Sequence, residues 1–454
     1  MSDLMRVAIV GSGPSGVYAA QGLAPAEGGG PRIAVDVLDR LPAPYGLVRY
    51  GVAPDHEKIK SLQQNLRSVL ERPGVRFLGN VAVDGRRLRP ADLLGVYHAV
   101  VYCVGAAVDR RLGIPGEDLR GSRSATDFVS WYSAHPDAAP DFPLEARTAV
   151  VIGVGNVAVD VARVLARRAE ELRRTDMPGA ALDGIAGSGV RHVSVVGRRG
   201  PGQAKFTTKE LRELGALPHA DARVRRSELV LDPAYDDPSG LPPAARRNLD
   251  VLRGWAARGG SGHARTVELR FFLRPVELLD DGTGAVRAVR FERTAPDGSG
   301  GVAGTGRYEE IEAQLVLRSV GYRGVPLSGL PFDEVTGTVP NAAGRVLRDG
   351  VVSPGEYVAG WIKRGPTGVI GSNRPCAKET VASLTADAPG LLRGSGPRER
   401  DPVEWLRAAG CEPVEWRGWQ GIEAAEAELG RSLDRRPVKI ADWAGLLAAA
   451  RRTD

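Results

Sequence analysis

Val7-Ala8-Ile9-Val10-Gly11-Ser12-Gly13-Pro14-Ser15-Gly16 sets the architecture of the chain. Four apolar residues in a row read as a buried parallel strand, and Gly11-x-Gly13-x-x-Gly16 then predicts a turn into a helix running to Leu23. Each glycine has its own task. Gly11 makes the tight turn, Gly13 lets the backbone approach a pyrophosphate, and Gly16 lets the helix lie close on the strand. The helix then aims its unpaired N–H groups at the anion. In a chain with 58 glycines a bare pattern of this kind is weak. Context lifts it above an ordinary glycine-rich turn: a second apolar run, Ile33–Leu38, ends on Asp39, where an acid can bind a ribose hydroxyl.

The same arrangement recurs from Ala149 to Ile152, followed by Gly153-Val154-Gly155-Asn156-Val157-Ala158 and a helix carrying Val161, Val164 and Leu165. The next strand, Val193–Gly197, ends on Arg198-Arg199 where the first unit ends on Asp39, with Arg167 to Gly189 as an insertion. Two dinucleotide folds imply two nucleotides. A carboxylate at Asp39 bonds a free ribose 2′-hydroxyl and repels a 2′-phosphate, so the first site suits FAD or NAD. Paired guanidinium groups offer bidentate contacts to a phosphate, so the second suits NADPH, the alternative being a solvated basic turn. FAD in the first site follows from pairing, because a flavin accepts hydride from a nicotinamide and releases electrons singly.

With 454 residues the chain is expected to hold two or three domains at about 150 residues each. No run of eighteen apolar residues is present, and no basic-then-apolar leader precedes the first strand, so a cytoplasmic protein is expected. Cys103, Cys376 and Cys411 are too scattered for a CxxC pair or a four-cysteine iron–sulfur centre, and no metal site is expected. The formal charge of +6 favours an acidic partner, while no helix-turn-helix, zinc or stacking signature points to nucleic acid.

Between these units the apolar but proline- and glycine-rich stretch Leu41–His56 reads as neither helix nor central strand, and a flavin ring would give it a packing surface. The patterns predict an amphipathic helix over Glu57–Glu71, short strands at Val75–Leu78 and Val81–Val83, and a buried strand over Ala99–Ala106. A capped helix is expected over Phe206–Leu214 with Thr207 or Thr208 as N-cap, and a turn-rich loop over Asp232–Pro243. Gly259–Gly262 and Thr294–Gly306 read as hairpin connections between strands such as Val267–Leu273 and Val286–Arg293. Strands are expected over Ala313–Val320 and Tyr357–Trp361, and a proline- and glycine-rich link over Asp387–Pro402. Trp405, Trp416, Trp419 and Trp443 then act as packing anchors on helices.

Several motifs carry a resemblance. Pro44-Tyr45-Gly46-Leu47-Val48-Arg49-Tyr50-Gly51-Val52-Ala53-Pro54-Asp55-His56, Gly155-Asn156-Val157-Ala158 with Asp160, and Val196-Gly197-Arg198-Arg199-Gly200-Pro201 are three of them. Phe206-Thr207 with Glu210-Leu211-Arg212-Glu213, and Gly360-Trp361 with Arg364–Gly371, are two more. Together, in order and over nearly the whole chain, they resemble the adrenodoxin-reductase-like ferredoxin–NADP⁺ reductases, most of all the bacterial members. Tyr45 and Asp39 stand where Phe or Trp and Glu are common, and Ser372 replaces a frequent Thr; no needed chemical type is lost. Sister flavoprotein families place an acid after the glycine of the C-terminal strand, whereas this chain has Trp361, as that group does.

The resemblance implies an α/β protein of two Rossmann-like dinucleotide-binding domains, the NADPH domain (109–324) inserted into a discontinuous FAD domain (1–108 and 325–454) that ends in a helical tail. By position, Gly11, Gly13, Pro14, Gly16, Asp39, Leu47, Val81, Trp361, Gly368, Val369 and Ile370 would hold FAD. Val154, Gly155, Asn156, Val157, Arg198, Arg199 and Glu210 would hold NADPH, with Gly368 also near the nicotinamide. NADPH would give hydride to the flavin, with ring positioning as the main catalytic device. His56, Asp160, Glu210 and Glu213 are candidates for tuning the flavin or handling a proton; the two glutamates are three apart and share a helix face. With no cluster of its own, the chain needs a separate electron carrier. A small acidic ferredoxin docked near Arg212, Arg246, Arg247 and Arg253 fits the charge, and a monomer suffices. Two rivals stand beside this reading: a reductase module for a fixed partner subunit, and a non-catalytic NADP-binding protein.

Overall fold

A computed structural model describes residues 4–24, 32–258, 260–395 and 400–452. The chain folds as two compact units, one made of 1–108 with 322–454 and the other of 109–321. The chain re-enters the first unit at Tyr322, whose ring lies 5.4 Å from that of Trp361.

In the first unit the strand Leu4–Val10 lies between two parallel partners, Arg32–Leu38 and Ala99–Tyr102, with Val7 facing Val35 and Ala99. The whole sheet runs Asn341–Ala342, Arg345–Arg348, Val351–Val358, Ala99–Tyr102, Leu4–Val10, Arg32–Leu38, Val75–Gly79 and Val414–Glu415. Its inner strands are parallel and its margins antiparallel. Met5, Val7 and Ile9 pack with Val17, Ala20 and Leu23 of the helix Pro14–Leu23, while Ala8 and Val10 face a second cluster with Leu93 and Tyr97. Both faces are covered, which is why the sequence shows an unbroken apolar run and not alternation.

A buried charge holds the proline-rich segment to the C-terminal helix Trp416–Ser432. Arg49, 4% exposed, donates to both carboxylate oxygens of Glu426 (2.5 and 3.2 Å) and lies 5.0 Å over the Trp419 ring. Burial opposes the Arg49 charge, but Glu426 and Tyr50 hold its pKa above the ordinary arginine value. Trp419 also meets Tyr45 edge-on at 5.8 Å, so this tryptophan is an anchor as expected.

In the second unit six strands are all parallel, in the order Ser122–Ser124, Leu315–Arg318, Thr148–Ile152, His192–Val196, Arg265–Arg270, Ala220–Val224. A separate antiparallel ribbon of Leu273–Asp280, Val286–Pro296 and Val302–Glu312 follows the strand Arg265–Arg270. Arg270 joins the two: it donates to Glu228 (2.9 Å) and to Glu309 of the ribbon (2.6 Å), and Arg270 and Glu228 are each 1% exposed.

Several local expectations change. Glu57–Glu71 is two helical pieces, Glu57–Lys60 and Leu62–Leu70; between them the Ser61 hydroxyl donates to the Lys58 carbonyl and competes with the main chain. The Leu41–His56 stretch is irregular except for one helical turn at Leu47–Tyr50. Val81–Val83 is not a strand, because Asn80 turns left-handed (φ 59°) and lays the Val81 N–H on the Asp39 carbonyl. The strand Ala99–Tyr102 stops before Cys103. Val351–Val358 ends before Trp361, which begins a helical turn instead. The Leu315–Arg318 strand is likewise shorter than Ala313–Val320.

Val267–Leu273 is broken at Phe272, whose φ of 59° sends Leu273 into the ribbon. The ribbon strands extend to Pro296 and from Val302, so the hairpin turn is shorter than Thr294–Gly306. Gly260–Gly262 joins the helix Pro243–Ala257 to a strand and is no hairpin; Gly259 lies outside the described residues. The Asp387–Pro402 link is largely helix, Asn373–Ser395, with 396–399 outside the described residues. Asp387 accepts from Arg345 (2.7 and 2.9 Å) and from the Tyr357 hydroxyl (2.8 Å), contacts that hold the helix through Pro389.

Arg49→Ala is expected to lower the stability of the first unit by about 3–5 kcal/mol, since it strands the Glu426 carboxylate in a dry site. Arg49→Met with Glu426→Leu is expected to lose less. Urea unfolding followed by tryptophan fluorescence checks both; equal losses would remove the buried charge as the cause.

Candidate functional site

The first glycine turn is built by backbone lying on backbone. Gly11 has φ +111°, and a Cβ there would sit 2.5 Å from the Cys103 carbonyl oxygen; one on Gly16 would lie on the Gly11 carbonyl. Gly13 differs: nothing comes nearer to its missing Cβ than 3.9 Å. Two glycines thus close the turn while the middle one faces open space, a cradle with room for a pyrophosphate. The helix Pro14–Leu23 starts there with Pro14 in its first turn and no side-chain cap, which leaves N–H groups for an anion.

Asp39 closes the turn from the neighbouring strand. Its Oδ2 accepts from the Ser12 N–H (2.9 Å) and hydroxyl (2.5 Å), and its Oδ1 from the Leu41 N–H (2.9 Å). Burial pushes this carboxyl above the ordinary aspartate value, against the lowering by those hydrogen bonds. Tyr45 and Gly46 both have positive φ (82° and 50°), and the Tyr45 N–H donates to the Ser12 carbonyl at 3.2 Å, so Leu47 starts its helical turn beside the glycines at 40% exposure. Val81 is buried against Asp39.

The C-terminal return meets the same turn. Gly360 (φ +80°) leaves no room for a side chain beside Ser15, and its N–H donates to the Cys376 sulfur at 3.3 Å. Trp361 follows, and its buried Nε1 has no acceptor among the described residues, a donor left for a group the protein does not itself supply. Beyond it the Arg364 fork holds a loop around Gly368 (φ +83°), donating to Thr367, to Ser372 Oγ (3.2 Å) and to Asn373 Oδ1 (3.0 Å). Asn373 donates to the Ile370 carbonyl at 3.1 Å, and Val369 is 61% exposed. His56 is buried, at the start of the helical turn Glu57–Lys60. Burial pushes the Cys103 thiol up to about 12, so it is no nucleophile.

The second unit repeats the geometry. Gly153 (φ +134°) has no room for a Cβ beside the Ser319 carbonyl, whereas Gly155 meets nothing within 4 Å and the helix Asn156–Ala166 begins uncapped by a side chain. The Asn156 side chain accepts from the Thr207 N–H at 2.8 Å, and the Val154 carbonyl from the Lys205 N–H at 2.8 Å. Thr207 occupies the N-cap position of the helix Thr208–Gly215, yet its side chain makes no cap bond; Thr208 instead donates to Asn248 at 2.6 Å. Val157 is half-buried on the core. Arg198 is exposed and Arg199 half-buried, and neither has a carboxylate at ion-pair distance among the described residues.

Three carboxylates gather beside this turn. Burial, then Glu210 and Glu213, push the Asp160 carboxyl well above the ordinary range, although Arg163 donates to its Oδ1 at 2.8 Å. Glu210 is buried and its Oε2 has no partner among the described residues; Glu213 lies 3.6 Å from Lys209.

An NADPH-ferredoxin reductase of Mycobacterium tuberculosis (strain H37Rv), FprA, is 47% identical over 459 residues, covering 97% of this chain and 98% of the relative. The chain belongs to the NADPH-ferredoxin reductase family. Another family relative, the mitochondrial NADPH:adrenodoxin oxidoreductase of Arabidopsis thaliana, is 39% identical over 98% of this chain and 95% of its own length. The solved structure of Mycobacterium tuberculosis FprA in complex with NADPH superposes with a TM-score of 0.91 at 45% identity, covering 98% and 99% of the two chains. The pyridine nucleotide-disulphide oxidoreductase model matches residues 5–212. The reductase family and the two-domain α/β dinucleotide fold expected from the motifs are thereby borne out.

Some residues of this family member's turns carry no sequence signal. Ser12 and Ser15 sit inside the glycine pattern at positions open to most residues, and only the fold shows what they hold. Arg253, offered as a docking residue, is half-buried, pairs with the exposed Asp250 (3.1 Å) and lies 5.0 Å over the Tyr235 ring. Arg212, Arg246 and Arg247 are exposed.

Gly155→Ala is expected to leave thermal stability within a degree or two while weakening NADP⁺ binding at least tenfold, whereas Gly153→Ala is expected to fold poorly; calorimetry and a melting curve separate the two. Asp160 has its folded pKa raised, so its contribution is full at low pH and is lost as pH rises through that value. Asp160→Asn is therefore expected to gain stability over the parent at pH 8 and to lose that gain as pH falls. A gain that grows in acid would contradict the carboxylate crowding.

Proposed function

We propose that this protein transfers electrons from NADPH through FAD to a ferredoxin-type iron–sulfur protein, with the first unit as FAD domain and the second as NADPH domain. The observation that carries it is the pair of unlike turns: one closed by the Asp39 carboxylate, the other ending in two guanidinium groups with no carboxylate partner among the described residues. When bound, FAD supplies the exchange between a two-electron hydride donor and a one-electron acceptor.

The chain's own residues bind and orient. Gly13 and the start of Pro14–Leu23 take the FAD pyrophosphate; Asp39 takes the ribose; Leu47, Val81, Trp361 and the Gly368–Ile370 loop shape the ring pocket. Val154, Gly155, Asn156 and Val157 take the NADPH pyrophosphate, and Arg198 and Arg199 take its 2′-phosphate by charge-assisted, forked hydrogen bonds. Glu210 offers the unpartnered Oε2 as an acceptor for NADPH. Gly368, whose φ of +83° and closeness to Ser372 allow no side chain, is the residue assigned to the nicotinamide by the family resemblance. His56, Asp160 and Glu213 hold or move a proton; the raised Asp160 carboxyl is the one suited to retain it.

The electron acceptor is an acidic ferredoxin, a reading supported by the +6 charge and by exposed Arg212, Arg246 and Arg247. No helix among the described residues is long and apolar enough to cross a membrane, and the three buried free thiols fit a reducing cytoplasm. A monomer satisfies every role named here.

The purified protein is expected to be yellow and to bleach anaerobically with NADPH; a colourless protein that takes up no FAD would favour a non-catalytic nucleotide binder. Reduction of cytochrome c through added ferredoxin is expected to slow steeply with salt while ferricyanide reduction barely changes. Equal salt response in the two assays would remove docking by charge.

A further inference from the structure

The turn that carries Arg198 and Arg199 is held by groups outside the dinucleotide motif. The Arg198 carbonyl accepts from the Thr294 hydroxyl at 2.7 Å, and the Arg199 carbonyl from the Phe272 N–H at 3.2 Å. On the far side of the turn Asp232, 2% exposed, accepts from the Gly202 N–H at 2.8 Å through Oδ2 and from the Ala234 N–H at 3.0 Å through Oδ1. Gly200 is pinched between them, since a Cβ there would strike the Asp232 carboxylate and lie 2.6 Å from the Phe272 ring.

The geometry is specific to these residues. Phe272 is buried with φ 59°, a left-handed conformation that a bulky residue adopts only when its surroundings impose it. Thr294 is 3% exposed on the middle ribbon strand, and the register slips between Glu292 and Thr294. Such a bulge re-aims a side chain. Here it accompanies the hydroxyl that reaches the Arg198 carbonyl, while the Thr294 N–H donates to the Phe272 carbonyl at 2.9 Å. Both arginine carbonyls and the Gly202 N–H are thus tied down, while the two guanidinium groups have no carboxylate partner among the described residues.

We propose that Thr294, with Phe272 and Asp232, is a specificity-determining positioning set that holds the Arg198–Arg199 turn in register for a 2′-phosphate, so that the antiparallel ribbon serves nucleotide selection. The inference rests on the arginine pair reading the 2′-phosphate. A long, flexible arginine gains most from a forked contact when its backbone is already placed. Removing the Thr294 hydroxyl leaves the Arg198 carbonyl without its buried donor and lets the turn relax; the glycine turn that holds the pyrophosphate is untouched.

The test uses the full-length holoenzyme and two probes that differ only by the phosphate, 2′-phospho-ADP-ribose and ADP-ribose, titrated calorimetrically. Thr294→Val is expected to raise the Kd for 2′-phospho-ADP-ribose about 5- to 10-fold, of the order of a lost hydrogen bond, with the Kd for ADP-ribose unchanged. Thr294→Ser restores the parent value within about twofold, and Asp232→Asn gives a smaller loss of the same selectivity. In turnover, Thr294→Val raises KM for NADPH and leaves kcat. With Arg198→Ala and Arg199→Ala already in place, Thr294→Val has no further effect on either probe. If that double arginine variant keeps its preference for the phosphate, the arginine reading itself fails. If the preference is lost there but Thr294→Val and Asp232→Asn both bind like the parent, or weaken both probes alike, the positioning role is overturned and the arginine reading stands.

Discussion

Everything in this molecule depends on main chain resting directly on main chain at two glycine turns. At Gly11, Gly16 and Gly153 a methyl group would strike a carbonyl oxygen or the atoms beside it, so the strand, turn and helix reach their separation only without a side chain. That contact aims each helix start at the opening beside Gly13 or Gly155, where the absence of a side chain leaves space. A tight first position with an open middle one leaves a surface of backbone suited to a pyrophosphate, and such a surface does not distinguish one dinucleotide from another.

On the proposed reading, discrimination is therefore left to the end of the following strand. In the first unit a single carboxylate does two jobs: Asp39 braces Ser12 and Leu41, and it presents negative charge where a ribose is expected. In the second unit the jobs are divided. Arg198 and Arg199 have no carboxylate partner among the described residues, and the bracing comes from Thr294, Phe272 and Asp232, residues of later segments. The difference follows from chemistry, since a short carboxylate can accept from the backbone beside it, whereas a guanidinium kept for a phosphate has its donors committed outward and leaves its main chain to be held by others.

Both nucleotide turns, the parallel strands around them and the unlike strand ends were legible from residue types and spacing, because a run of apolar residues bounded by glycines has few other ways to fold. The packing role of Trp419 was legible as well. What misled was local composition. Asp387–Pro402 reads as a link, yet Asp387 is gripped by Arg345 and Tyr357 and the helix continues through Pro389. Arg253 reads as a surface cation and is turned onto Tyr235 and Asp250. Val267–Leu273 reads as one strand and is split by a left-handed Phe272 that no propensity rule would place there.

The family, the α/β class, the two glycine turns and the charge at the end of the strand after each could be read from residue types alone, since each motif is a short local run whose spacing follows from the reach of a peptide backbone. Only the tertiary structure decided what holds those groups still. Ser12 under Asp39, Gly360 against Ser15, Glu426 on Arg49 and Thr294 on the Arg198 carbonyl join positions from 27 to 377 residues apart. Such contacts have no periodicity to betray them, because a single hydrogen bond or close approach between distant segments constrains one residue on each side and leaves no pattern along the chain.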